Sequence, residues 1–187
     1  MDWKKELEVQ GMYAHEVESI DHSLYSVESY KGADLNFFQK CRGQRFSGRG
    51  QPVGEETTNM MISGCLPSGN AFSVLGFSIW TLPRDRAQAQ KILDTAIFEF
   101  IIGSKIYTSI KPASLAMWYP PARRKPASVM GVVPTHYMPF ALDKIPHLFP
   151  NQNFVVMIRW PGVLSVMKNW GIPLQVNLIG VWHRIAQ

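Results

Sequence analysis

Four stretches of this chain alternate apolar and polar residues with a period of two, and that spacing limits the fold more than any other feature. "IPLQVNLIGVWHRI" (172–185) sets Ile172, Leu174, Val176 and Leu178 against Gln175 and Asn177. "NFVVMIRW" (153–160) puts Phe154, Val156, Ile158 and Trp160 on one face and Arg159 on the other. "TAIFEFII" (95–102) alternates Ala96, Phe98, Phe100 and Ile102 around Glu99. Successive strand side chains point to opposite faces, so these segments read as half-buried strands of antiparallel sheets. "NAFSVLGFSIWTL" (70–82) keeps the same rhythm through Phe72 and Val74, then slips by one to Leu75, Phe77 and Ile79 around Gly76. A one-residue slip beside a glycine predicts a β-bulge. Gly103-Ser104, between "TAIFEFII" and "KIYTSI" (105–110), predicts a hairpin or sharp bend.

The connections carry turn chemistry: "CLPSGN" (65–70), "LPRDRAQAQKILD" (82–94), "YPPARRKPAS" (119–128) and "HLFPNQN" (147–153). One short helix fits, in "RDRAQAQKIL". A parallel α/β sheet needs a helix between most strand pairs, and this chain does not supply them. Thirteen prolines and strands at turn-marked intervals point instead to an all-β fold, an antiparallel β-sandwich or barrel. With 187 residues, 46% of them hydrophobic, the chain has the material for one domain with an appendage. Residues 1–54 read as an N-terminal arm, helical or extended, and 55–187 as the β-sandwich domain. Within the arm, Tyr13, Val17, Ile20 and Leu24 have the spacing of an amphipathic helix, interrupted upstream by Gly11.

Charge divides the arm in two. Residues 1–30 hold seven acids against Lys4 and Lys5, while the whole chain carries a formal charge of +5. The glycine-rich linker 31–54 is basic. Such asymmetry fits an acidic segment that meets a basic surface, or two faces offered to different partners; a solvated helix beside a mildly basic domain fits equally. No apolar run approaches the ~20 residues of a membrane helix, and "MDWKKELEVQ" lacks the apolar centre of a signal peptide. The expectation is a soluble, intracellular chain. Cys41 and Cys65 have no metal-type spacing and read as two thiols more readily than as a disulfide.

Chemistry-bearing motifs are sparse. The five histidines (His15, His22, His136, His147, His183) form no H-x-H pair, and His183 reads as a surface or satisfied histidine. Glu55 and Glu56 are adjacent and would point apart on a strand. No G-x-S-x-G elbow occurs, and "GQRFSGRGQPVG" lacks the G-K-[ST] ending of a phosphate loop. No catalytic residue, metal site or cofactor is expected, although a site assembled from distant loops stays open. Two basic clusters remain: Lys40, Arg42, Arg45 and Arg49, with Phe37, Phe38 and Phe46 interleaved, and Arg123, Arg124 and Lys125. They read as solvated loops, or as contacts to nucleic acid or to an acidic partner. Trp118 and Tyr119, ahead of Pro120-Pro121, are placed to anchor a neighbouring subunit.

Three segments together resemble the jelly-roll structural proteins of small viruses and bacteriophages. They are "EETTNMMISGCLPSGNAFSVLGFSIW", "FEFIIGSKIYTSIKPASL" and "MPFALDKIPHLFPNQNFVVMIRWPG…IPLQVNLIGVWHRIAQ", the last closing on L-x-G-x-x-x-R. They span about residues 55–187. The resemblance implies an eight-stranded sandwich that assembles edge to edge as a capsid, minor capsid or vertex subunit in the virion. Its partners would be other copies of itself and other structural proteins, with nucleic acid reached through the basic tract. The acidic terminus departs from the basic arm common in capsid proteins and favours a protein–protein role for residues 1–30. A β-sandwich that binds a carbohydrate or other ligand is the alternative, and an enzyme with a non-local site the third.

Overall fold

The computed structural model describes residues 17–44, 52–81, 86–110, 133–139, 145–160 and 171–185. Its strands are β1 (Val17–Tyr30), β2 (Leu35–Phe37), β3 (Asn70–Thr81), β4 (Ile97–Ile102), β5 (Lys105–Ile110), β6 (Val133–Pro139), β7 (His147–Leu148), β8 (Phe154–Arg159) and β9 (Ile172–Ile185). The short helix expected between β3 and β4 is α1 (Arg86–Leu93), which buries Ala89, Ile92 and Leu93.

The strands form two antiparallel sheets, in the orders β1-β9-β3-β6 and β2-β8-β4-β5, with β7 added beside β3. Setting the two-residue β7 aside, the first strand pairs with the last, β1 with β9, and the second with the last but one, β2 with β8. β3 then pairs with β6, and β4 with β5. A long hairpin folded so that its arms pair in this nested order, then rolled so that alternate pairs fall in opposite sheets, is a jelly roll.

The core lies between the sheets. Leu174, Val176 and Leu178 of β9, Phe77 and Ile79 of β3, Phe98 and Phe100 of β4, and Val156 and Ile158 of β8 are all fully buried. These are the apolar sets that the period-two reading separated from their polar neighbours. Phe77 and Phe98 stack with ring centroids 3.9 Å apart and planes 8° from parallel. The bulge falls where the slip placed it: Val74 faces Gly180, Gly76 faces Ile179, and Leu75 is the extra residue. Gly103 turns the β4–β5 hairpin with φ +59°, in the position that takes glycine in a type II′ turn.

The N-terminal region differs from expectation. Residues 17–30 are not helical: β1 pairs with β9 from Val17↔Ile185 to Tyr30↔Ile172. The i, i+3, i+7 spacing of Val17, Ile20 and Leu24 is incidental. The inward face of β1 near its end is Leu24, Ser26 and Tyr30, all buried. Ser26 hides that face from a hydropathy pattern. Its hydroxyl is buried because it accepts the Phe38 N–H at 3.0 Å, at a residue held at φ +67°. β2, within the expected linker, pairs with β8 and buries Leu35 and Phe37. Strands of both sheets therefore precede residue 55, and 17–44 belong to the sandwich rather than to an arm. Residues 1–16 lie outside the described part of the chain.

Candidate functional site

The basic tract comes first, because its sequence offered no acid to balance it. Lys40 Nζ sits 2.5 Å from Glu28 Oε2 of β1, and the Arg42 guanidinium donates to Glu55. The surrounding loop is tied by backbone bonds: Arg42 N–H to the Met60 carbonyl at 2.9 Å, Gly43 N–H to Val53 at 2.9 Å and Val53 N–H back to Gln44 at 3.0 Å. The Tyr25 hydroxyl donates to the Glu55 carbonyl. Burial pushes the Tyr25 phenol up, and the Glu55 charge adds to it. At Lys40 and Arg42 the tract is thus a stapled loop whose cations meet acids brought from β1 and from Glu55. Arg45, Arg49, Arg123, Arg124, Lys125, Trp118 and Tyr119 lie outside the described residues.

Sheet edges are treated unequally. β1 would present an open ladder at Ser23–Val27, and Asn59 closes part of it: its Oδ1 accepts the Tyr25 N–H at 2.8 Å, and its Nδ2 donates to the Ser23 carbonyl at 2.7 Å. Val27 N–H donates to the Thr57 carbonyl at 2.8 Å. Covering an edge in this way blocks unwanted strand pairing. β5 ends the other sheet, and among the described residues only β4 pairs with it. Ile106 and Tyr107 on β5 are 54% and 44% exposed, with Lys105 Nζ 4.9 Å from the Tyr107 ring centre. A groove of about 350 Å³ opens where Asn36, Gln39, Ser63, Asn153 and Met157 meet.

One polar cluster among the described residues was invisible in the sequence. Ser73 Oγ of β3 lies 2.8 Å from His183 Nε2 of β9 and 2.9 Å from His147 Nδ1 of β7. Ser19 Oγ of β1 lies 2.9 Å from His183 Nδ1. Four strands are joined through four side chains. His183 and Ser73 are buried, on the face of the sheet opposite Leu174, Val176 and Leu178. Burial pulls the His183 ring below the ordinary histidine range, and the nearby His147 adds to the effect.

Ser19, His183 and Ser73 have the order of an orienting group, a base and a nucleophile. Ser73 stands mid-strand between paired β7 and β9 and is only 7% exposed. The contacts tie β1, β3, β7 and β9 together through their side chains. Sequence reasoning read His183 as a surface or satisfied histidine, named His147 only among five scattered histidines, and passed over Ser19 and Ser73. Their sole sequence signal is a polar residue at an outward strand position; the register that aligns them is a tertiary property.

The described residues contain no group of three His, Cys, Asp or Glu placed to hold a metal ion. Among them, no helix is long and apolar enough to cross a membrane. Cys41 and Cys65 are half-buried free thiols. No family model, curated protein or solved structure matches the chain.

Proposed function

We propose that this chain is a structural protein of a virus or bacteriophage, a capsid, minor capsid or vertex subunit that works by self-assembly. The observation that carries the reading is the nested strand order of the sandwich, combined with its unequal edges. One long edge is capped by Asn59 and Thr57, whereas β5 leaves its ladder and two apolar side chains exposed on the described part. An edge left uncapped beside one that is carefully covered suits a subunit that pairs with neighbours. Lys40 and Arg42 favour protein partners over a genome, since their charge is met by Glu28 and Glu55.

Light scattering coupled to size-exclusion chromatography, over a wide concentration range, tests this reading. Concentration-dependent oligomers that dissolve on replacing Ile106 and Tyr107 with Lys and Glu support it. A strict monomer at high concentration overturns it.

A second reading is a ligand-binding sandwich, supported by the amide-lined groove at Asn36, Gln39 and Asn153. Neutral sugars are held by side chains of this kind, which donate and accept at once. A glycan array in which Asn153→Ala abolishes a specific signal would favour it over assembly.

A further inference from the structure

We propose that the open start of β1 is a two-fold contact between copies of this chain: β1 of one copy pairs antiparallel with β1 of a second, in a register centred on Ile20. The contact deepens the self-assembly reading, but it is argued from β1 alone and holds whether or not β5 takes a neighbour.

The cap on the β1 edge stops short. Thr57, Thr58 and Asn59 meet the N–H of Tyr25 and Val27 and the carbonyls of Ser23 and Tyr25. The odd-numbered residues of β1 therefore turn their backbone polar groups away from β9. The β1–β9 register runs without a slip to Val17↔Ile185, so Ser19 and Asp21 turn theirs to the same side. Among the described residues no backbone or strand bonds them there. Glu18 through His22 are all exposed. An unpaired ladder of this kind is a template for another strand.

The side chains select which strand. Antiparallel partners must turn their backbone groups toward each other, so β1 can pair with its own copy only in registers centred on a residue, never on a peptide bond. Centring on Glu18 or on Asp21 sets two carboxylates directly opposite, which is destabilising. Centring on Ser19 sets Ile20 against Glu18, and centring on His22 drives the second strand into Asn59. Centring on Ile20 sets Ile20 against Ile20, Glu18 against His22 and Ser19 against Asp21. It also brings the second copy's Val17 to Ser23, where the cap begins.

This register continues what each copy already has. Ile20 is 41% exposed, and its partner on β9 is Trp182, which packs at the margin of the core. Pairing makes one apolar row of Trp182, Ile20 and the second copy's Ile20 and Trp182. Glu18, held 2.7 Å from Arg184, gains the second copy's His22 on its other side. On the opposite face the Ser19 oxygen lies 2.9 Å from His183 Nδ1, and its hydroxyl can donate to the second copy's Asp21 while accepting from that ring. The result is one continuous sheet, β6-β3-β9-β1-β1-β9-β3-β6, with both buried faces on the same side.

The test is a disulfide scan in the full chain. Opposed residues of a non-hydrogen-bonded pair have Cα atoms about 4.5 Å apart, within reach of a disulfide. Ile20→Cys, oxidised with glutathione disulfide, should give a dimer whose mapped bond joins position 20 to position 20. Its yield should exceed that of Ser19→Cys or Asp21→Cys alone by on the order of tenfold, while a mixture of those two should join 19 to 21. The wild type, with the thiols of Cys41 and Cys65, is the control. In the wild type, hydrogen exchange at the Ser19 and Asp21 amides should slow as protein concentration rises. Ile20→Lys should remove that dependence, and replacing Ile106 and Tyr107 should leave it. No bond between positions 20 overturns the contact. So does protection of both amides that is equal at every dilution, which would mean that the chain's own residues 1–16 cover the edge. A 20-to-20 bond in a chain whose β5 variants change nothing supports this contact and removes the β5 one.

Discussion

Phe77 of β3 and Phe98 of β4 stack face to face across the two sheets, 3.9 Å between ring centres. Both rings are fully buried, so this pair is where the sheets are pinned together. Truncating a buried phenylalanine forfeits its transfer energy and leaves a cavity that a stiff double sheet closes poorly. Phe77→Ala should cost about 3–5 kcal/mol. For a chain of this size that lowers the melting temperature by roughly 10 °C. Thermal unfolding followed by circular dichroism reads it, and a drop of only a degree or two would mean that the sheets are held elsewhere.

Gly180 of β9 lies tight against the backbone of β3. A Cβ there would lie 2.0 Å from the Ser73 carbonyl oxygen and 3.0 Å from the Phe72 ring. The obstacle is main chain, so β3 must move. Gly180→Ala should destabilise by about 3 kcal/mol, seen as a lower denaturant midpoint. Because the displaced residue is Ser73, the variant should also disturb the titration of His183, which Phe77→Ala should leave alone. An unchanged midpoint would show that the strands separate at no cost.

Glu99 and Arg159 test how the outward face of the second sheet is held. The Glu99 side chain is 6% exposed and accepts from the Arg159 guanidinium, which is itself 46% exposed. Arg159→Ala strands a buried carboxylate, partly relieved by water entering where the arginine stood, and should cost about 1–3 kcal/mol. Adding Glu99→Gln should return more than half of that loss, because an amide is far less costly to bury than an unpaired charge. If the double variant is no better than the single one, the arginine acts through packing of its stem and not through charge.

Stability should depend on pH through His183, read as a falling denaturant midpoint in acid, and the sign follows from its depressed ring. In the folded state this ring resists protonation, so the unfolded chain binds more protons around the ordinary histidine pKa. The stability it contributes is complete above about pH 6.5, the unfolded value, and is lost as pH falls through the lower folded one.

Much of the sandwich could be read from spacing. Where one face is wholly apolar and the other polar, as at Leu174, Val176 and Leu178, alternation names the strand and its buried side. Even the bulge at Leu75 is written in the slip of that rhythm. β1 failed this test because Ser26 and Glu28 interrupt its inward face, and because Val17, Ile20 and Leu24 happen to sit at helical intervals. β2 is three residues long, too short for any period to declare itself.

The candidate sites divide differently. "QKCRGQRFSGRGQP" looks like unbalanced positive charge because the acids that meet it, Glu28 and Glu55, lie outside the tract, 12 and 13 residues from Lys40 and Arg42. Ser19, Ser73, His147 and His183 look unrelated because 74 to 164 positions separate the partners. Period and turn chemistry are local, so the sequence by itself determined that this chain would be antiparallel β and which faces would be buried. Which strand lies beside which is decided mostly by pairings between residues distant in sequence, such as Ser19 with His183. Only that register lets one serine hydroxyl meet two histidines.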